Sequence, residues 1–157
     1  MALQDIQDTE QTPEEHTRKV VQGHTLAFNF ARQLRERVIQ EQVDGEYGQV
    51  LEYRKIFMGK TDIDEFLTVE EYTEGDFVKY ISNNDQLCGK DSEISNKAEA
   101  NHKKSKGKLM LLDIQGSGHT FYDPEIASRQ IMDEHGKVQF CTGNLSIAAI
   151  DNFFFKS

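Results

Sequence analysis

Hydrophobic positions spaced by three, four and seven residues predict one long amphipathic helix near the amino terminus, running to about Gln40. Thr12 is placed to cap it, Pro13 to occupy its first position and Glu15 to complete a capping box. Gly23 lies inside the helix and costs it about 1 kcal/mol relative to alanine. The apolar stripe comprises Val20, Leu26, Ala27, Phe30, Ala31, Leu34 and Val38.

Downstream of the helix, apolar runs bounded by turn residues predict β-strands. Gly59 is expected to end the first strand, and the turn 73–76 to end the second. The continuous run Leu109–Leu112 is typical of a buried strand. The predicted strands are Val50–Met58, Phe66–Tyr72 and Leu109–Leu112, with Val138–Cys141 as a short strand candidate. The turn at 73–76 is followed by an apolar-polar stretch, Phe77–Ile81.

The remaining segments complete an α+β prediction. Asp123-Pro124 is expected to start a short helix through Ser128, and Ile147–Phe155 to form a final helix. Residues 1–11 and 82–107 are polar, and we expect them to be the least ordered parts of the chain, with the folded domain over 12–157.

Charge and cysteine content exclude several classes of protein. Lys and Arg number 18 against 27 Asp and Glu, a net charge of −9, which argues against a protein that binds nucleic acid through a basic face. Two cysteines cannot form a disulfide framework. With no signal peptide and no run of about 18 apolar residues, the sequence predicts a cytoplasmic protein without membrane insertion.

Three oxygen-bearing side chains follow the buried strand. Asp113 leaves that strand toward Gly116 and Gly118, with Gln115 two residues after it and Asp123 ten residues after it. Carboxylate and amide oxygens are ligands that suit Mg²⁺. The alternative is that Asp113 caps a turn and Asp123 caps a helix.

A second set surrounds the strand that ends near Tyr72. Glu70, Glu71 and Tyr72 form a strand end that can present hydrogen-bonding groups to a base, and Lys79 and Asn83 can hold phosphate. An exposed strand end with solvated charges is the alternative.

The five histidines show no paired metal-binding spacing. His24, on the apolar stripe, is predicted to be a packed core residue.

Four blocks follow one another along the chain: Val69–Tyr80, Gly107–Gly116, Tyr122–Ile126 and Gly143–Leu145. In this order they resemble the atypical alpha-kinase family of protein kinases. The resemblance implies a protein-kinase-like fold, consisting mainly of the carboxy-terminal lobe with the central long helix. It also implies a serine/threonine kinase that uses ATP and Mg²⁺ and acts on protein substrates.

The resemblance implies a role for each candidate residue. Asp113 would be the catalytic aspartate, and Gln115 and Asp123 would bind magnesium. Glu70, with the backbone near Glu71 and Tyr72, would hold adenine. Lys79 and Asn83 would lie in the phosphate and catalytic region.

The chain departs from the family pattern at several points. Only about eleven residues precede the helix, where the family has strands and a lysine that contact the phosphates. His102 is the candidate remnant of a zinc ligand, but the family's His/Cys tail is not in this sequence, so the zinc site is incomplete. Ser146 replaces a glycine of the last block.

Two hypotheses follow. The chain is the catalytic part of an alpha-kinase, or it is a truncated or decayed kinase lobe that acts as a binding domain. For the chain as given, we expect weak Mg-ATP binding and slow phosphate transfer. A carboxylate-based hydrolase has only the aspartate pair in its favour.

Overall fold

The computed structural model describes residues 11–82, 88 and 109–128, and the structural account is confined to them. Two helices come first, α1 (Pro13–Gln40) and α2 (Asp44–Tyr47). Eight strands follow: β1 (Glu52–Tyr53), β2 (Ile56–Lys60), β3 (Phe66–Glu70), β4 (Val78–Ile81), β5 (Leu109–Leu112), β6 (Ile114–Ser117), β7 (Thr120–Tyr122) and β8 (Glu125–Ser128).

Helix α1 begins and ends where the sequence predicts. The Glu15 amide donates to the Thr12 hydroxyl at 3.2 Å, and the Thr12 amide donates to a Glu15 carboxylate oxygen at 2.8 Å. This capping box satisfies two amides that would otherwise lack partners. The side of α1 that carries His24, Ala27 and Leu34 is buried. The helix packs against strands β1, β2, β3 and β8.

Strands β2 and β3 form an antiparallel hairpin with two different faces. Phe57 lies opposite Val69, and these two side chains are more than half exposed, so the outer face is apolar and open to solvent. Ile56 lies opposite Glu70 on the inner face, toward α1.

Strands β5 to β8 follow the register of one long hairpin that is interrupted in the middle. Leu112 lies opposite Glu125 and Gln115 opposite Tyr122, so the same alignment continues across the interruption. Asp113 and Asp123 have positive φ angles, 52° and 50°, at the two interrupted positions. Among the described residues, the outer strands β5 and β8 pair only with each other, whereas β6 and β7 join a four-stranded sheet in the order β1-β7-β6-β4.

The core lies between this four-stranded sheet and α1. Phe121 is at its centre, with its ring 5.6 Å from Tyr53 and 5.5 Å from Tyr80 between centroids. The Tyr80 hydroxyl donates to the carbonyl of Gly118 at 3.2 Å. The remaining buried members are Ala27, Leu51, Ile81 and Ile114.

The mixed α+β architecture is confirmed, but several local predictions are wrong. The predicted helix over 123–128 is strand β8, because its backbone pairs with β5. The predicted strand Val50–Met58 is two strands separated by residues 54–55, and Gly59 lies inside β2. Strand β3 ends at Glu70, before the predicted Tyr72.

The predictions for residues 1–10, 83–87, 89–107, 138–141 and 147–155 lie outside the described residues.

Two glycines are expected to respond oppositely to alanine. A Cβ on Gly116 would lie 2.1 Å from the Thr120 carbonyl oxygen, so Gly116→Ala should cost about 3 kcal/mol of unfolding free energy. A Cβ on Gly23 would meet nothing within 4 Å, so Gly23→Ala should add about 0.5–1 kcal/mol. Urea denaturation measures both, and equal effects of the two changes would contradict the packing described.

Candidate functional site

A cavity of about 520 Å³ opens between α1, the inner face of the β2–β3 hairpin and the β6–β7 strands. Four of its lining residues carry an imidazole, carboxylate or amide group: His24, Glu70, Gln115 and Asp123. Three of these four were candidate site residues in the sequence, and the fold brings them together from three separate stretches of the chain.

Glu70 reaches the cavity because it is the last residue of β3 and lies on its inner face. Its side chain is partly exposed, and its Oε2 lies 3.9 Å from Nδ1 of His24. Glu71 points elsewhere and lies 3.9 Å from the guanidinium of Arg54. The Tyr72 side chain is 84% exposed. Of this trio, only Glu70 has a side chain that lines the cavity.

Gln115 and Asp123 form a contact across the interrupted hairpin. The Gln115 amide nitrogen donates to the Asp123 backbone carbonyl at 3.2 Å and to its carboxylate at 3.3 Å. Both bonds use the Gln115 amide nitrogen, and neither uses its amide oxygen. Within residues 11–82, 88 and 109–128, no three His, Cys, Asp or Glu side chains form a metal-binding group.

This pair of side chains fits Mg²⁺, which commonly takes one or two protein oxygens and completes its shell with water and substrate phosphate. The exposed Asp123 carboxylate leaves room for that shell.

Asp113 lies beside the cavity rather than in its lining. Its carboxylate forms an ion pair with the Lys79 ammonium. Lys79 stands on β4 directly opposite Gln115 of β6, so the ion pair lies next to the Gln115–Asp123 contact. Burial, together with the charge of Asp113, raises the pKa of Tyr53 and keeps its hydroxyl protonated.

His24 also lines the cavity, whereas the sequence predicts only that it is a packed core residue. Its side chain is 1% exposed, and its Nε2 lies 2.8 Å from the carbonyl oxygen of Arg54. Burial lowers its pKa, although the Arg54 carbonyl and the charges of Glu70 and Asp123 oppose that shift. A histidine on the apolar stripe of α1 was the only signal, and it is equally typical of ordinary core packing.

The candidate residues Asn83 and His102 lie outside the described residues.

Comparison with known proteins gives a consistent result. A model of the alpha-kinase family matches residues 3–157. Human transient receptor potential cation channel subfamily M member 6 is 31% identical over 96 residues, which are 59% of this chain and 5% of that protein. The mouse protein of the same name is 30% identical over 96 residues, with the same coverage.

Solved structures agree in fold. The alpha-kinase domain of myosin heavy chain kinase A in complex with ADP has a TM-score of 0.72 at 18% identity, covering 94% of this chain and 57% of that one. The same domain with AMP-PNP has a TM-score of 0.70 at 17% identity, covering 94% and 55%. The protein-kinase-like fold is thereby confirmed, and the chain spans little more than half of those domains.

No helix in the described part of the chain is long and apolar enough to cross a membrane.

The ion pair between Lys79 and Asp113 should stabilise the fold measurably, because the Asp113 carboxylate is only 18% exposed. A double-mutant cycle with Lys79→Met and Asp113→Asn is expected to give a coupling of about 1–2 kcal/mol in urea denaturation. The exposed pair Lys60–Asp64 is the control and should give less than about 0.5 kcal/mol. Equal coupling energies for the two ion pairs would contradict the burial of the Asp113 carboxylate.

Stability should also depend on pH through His24. Because its pKa is lowered in the folded state, the unfolded chain binds the proton more readily, and stability falls as the pH drops through about 6.5. His24→Gln should lose part of this dependence between pH 7.5 and 5. His16, whose pKa burial also lowers, is tested in parallel with His16→Gln. Identical pH profiles for wild type and His24→Gln would refute the assignment.

Proposed function

The chain belongs to the alpha-kinase family, and from this premise we propose that it transfers the γ-phosphoryl group of ATP to serine or threonine side chains of proteins. The observation that carries the proposal is the cavity in which Glu70, Gln115 and Asp123 meet, with the Lys79–Asp113 pair beside it. Phosphoryl transfer requires mainly positioning and charge neutralisation, and these side chains are of the types that supply both.

The nucleotide would lie with its base near β3 and its phosphates near the interrupted hairpin. The Glu70 carboxylate is an acceptor and suits the exocyclic amine of adenine. Gln115 and Asp123 would hold Mg²⁺, which neutralises charge on the phosphate oxygens when bound.

Asp113 would act on the acceptor hydroxyl and Lys79 on the transferred phosphate. The Asp113 carboxylate orients the substrate hydroxyl and takes its proton as the hydroxyl oxygen bonds to the γ-phosphorus and the bond to ADP breaks. The Lys79 ammonium has three N–H donors, so it can keep its contact with Asp113 and donate to a γ-phosphate oxygen at the same time.

Replacing Asp113 tests the proposal directly. Asp113→Asn preserves the side-chain shape and tolerates the positive φ angle, but it removes the base, so the transfer rate should fall at least about 100-fold. Transfer from γ-labelled ATP with Mg²⁺ to a basic peptide carrying serine and threonine measures it, with a peptide carrying only tyrosine for comparison.

Asp64→Asn is the matched control, because Asp64 also has a positive φ angle, 64°, but is exposed and remote from the cavity. It should leave transfer unchanged. Unaltered transfer in Asp113→Asn, or transfer to tyrosine alone, would overturn the proposal.

A second candidate is a non-catalytic binding domain. The outer face of the β2–β3 hairpin favours it, since Phe57, Leu67 and Val69 form an exposed apolar surface there. A wild-type chain that binds ADP but transfers no phosphate to any peptide would favour this candidate over the kinase.

A further inference from the structure

His24 occupies an unusual position for a packed histidine, because it is buried and also forms part of the wall of the polar cavity. Its ring is held in place on one side by the edge-on ring of Tyr53, with centroids 5.8 Å apart. On another side, Nε2 is 2.8 Å from the Arg54 carbonyl oxygen. The imidazole is therefore fixed in orientation before any ligand arrives.

The contact with Arg54 determines which nitrogen carries the proton. A carbonyl oxygen can only accept, so Nε2 must donate to it. In the neutral ring, which burial favours, Nδ1 then presents a lone pair.

The Nδ1 atom is buried and has no hydrogen-bond partner among the described residues. It lies 3.9 Å from Oε2 of Glu70, which is also an acceptor. Two acceptors at this separation repel each other unless a donor lies between them, and buried polar atoms are normally satisfied. A single group with two N–H bonds can satisfy both, at about 2.9 Å from each.

We propose that His24 and Glu70 together receive the exocyclic amino group of adenine, one N–H going to Nδ1 and the other to the carboxylate. The inference rests on the proposed function, since it requires a nucleotide in this cavity. It adds a base-selecting role for a helix residue. Guanine presents a carbonyl oxygen at the equivalent ring position and would face two acceptors there, so the pair selects against GDP and GTP.

Two substitutions separate this role from simple packing. His24→Gln places an amide nitrogen near the position of Nε2, which keeps the donor to Arg54 and removes the acceptor at Nδ1. His24→Asn places an amide oxygen near the position of Nδ1, which keeps the acceptor and removes the donor to Arg54. A merely structural histidine predicts that only His24→Asn is harmful.

The test measures binding of ADP and GDP with Mg²⁺ by competition against a fluorescent ADP analogue, together with thermal unfolding of each variant. We expect His24→Gln to weaken ADP binding about 3- to 10-fold, to lower the preference for ADP over GDP and to unfold near the wild-type temperature. His24→Asn should unfold at a lower temperature but keep the ADP preference.

Nitrogen NMR of histidine-labelled wild-type chain gives a readout that stability does not affect. The Nδ1 resonance of His24, assigned by its loss in His24→Gln, should move upfield on addition of ADP as it becomes a hydrogen-bond acceptor. If ADP binds but that resonance stays in place and His24→Gln keeps the wild-type preference, the inference fails and the proposed function stands. If neither ADP nor ATP binds at millimolar concentration, both fail.

Discussion

The structure depends on one constraint, the interruption of the β5–β8 hairpin at Asp113 and Asp123. Pro124 has no amide hydrogen, and it would lie opposite Asp113 in the continuous register, so the ladder cannot continue there. Both aspartates adopt the left-handed region, which few residues other than glycine, asparagine and aspartate tolerate. The outer pair of strands can thereby leave the four-stranded sheet.

The same interruption positions the candidate site residues. Because Asp113 and Asp123 stand at the interruption instead of inside a ladder, their carboxylates contact Lys79 and Gln115. Gln115 is the first position after it that pairs regularly, and it contacts Asp123 across the hairpin. Helix α1 covers the sheet and brings His24 to the cavity. The buried imidazole therefore lines the same cavity as Gln115 and Asp123, one of the two aspartates with a positive φ angle.

The sequence predicted features that depend on nearby residues and missed those that depend on distant pairing. Helix α1 was predicted to its boundaries because its periodicity and capping box are local. Strand β8 was taken for a helix because an aspartate before proline is a local signal for a helix start, whereas pairing with β5 decides the outcome. The hairpin strands β6 and β7 are only four and three residues long, so the alternation of polar and apolar residues along them carries little information.

The residues of the candidate site divide in the same way, into those that local sequence identifies and those that depend on distant pairing. Glu70, Gln115 and Asp123 were identified from residue type and order along the chain, and the fold brings them to one cavity. The contact of Lys79 with Asp113 follows from the β4–β6 pairing, which lies across a gap of about thirty residues and leaves no local trace. A buried histidine with one unsatisfied nitrogen cannot be distinguished in sequence from any other core histidine.

The central claim is that the cavity between α1, β3 and the interrupted hairpin holds the nucleotide and its metal. A crystal structure of the chain with ADP and Mn²⁺, in which anomalous scattering locates the metal, tests it most directly. The account predicts the manganese peak between the Gln115 amide oxygen and the Asp123 carboxylate, with the adenine amine at Glu70. A nucleotide bound elsewhere, or a metal remote from both side chains, would contradict it.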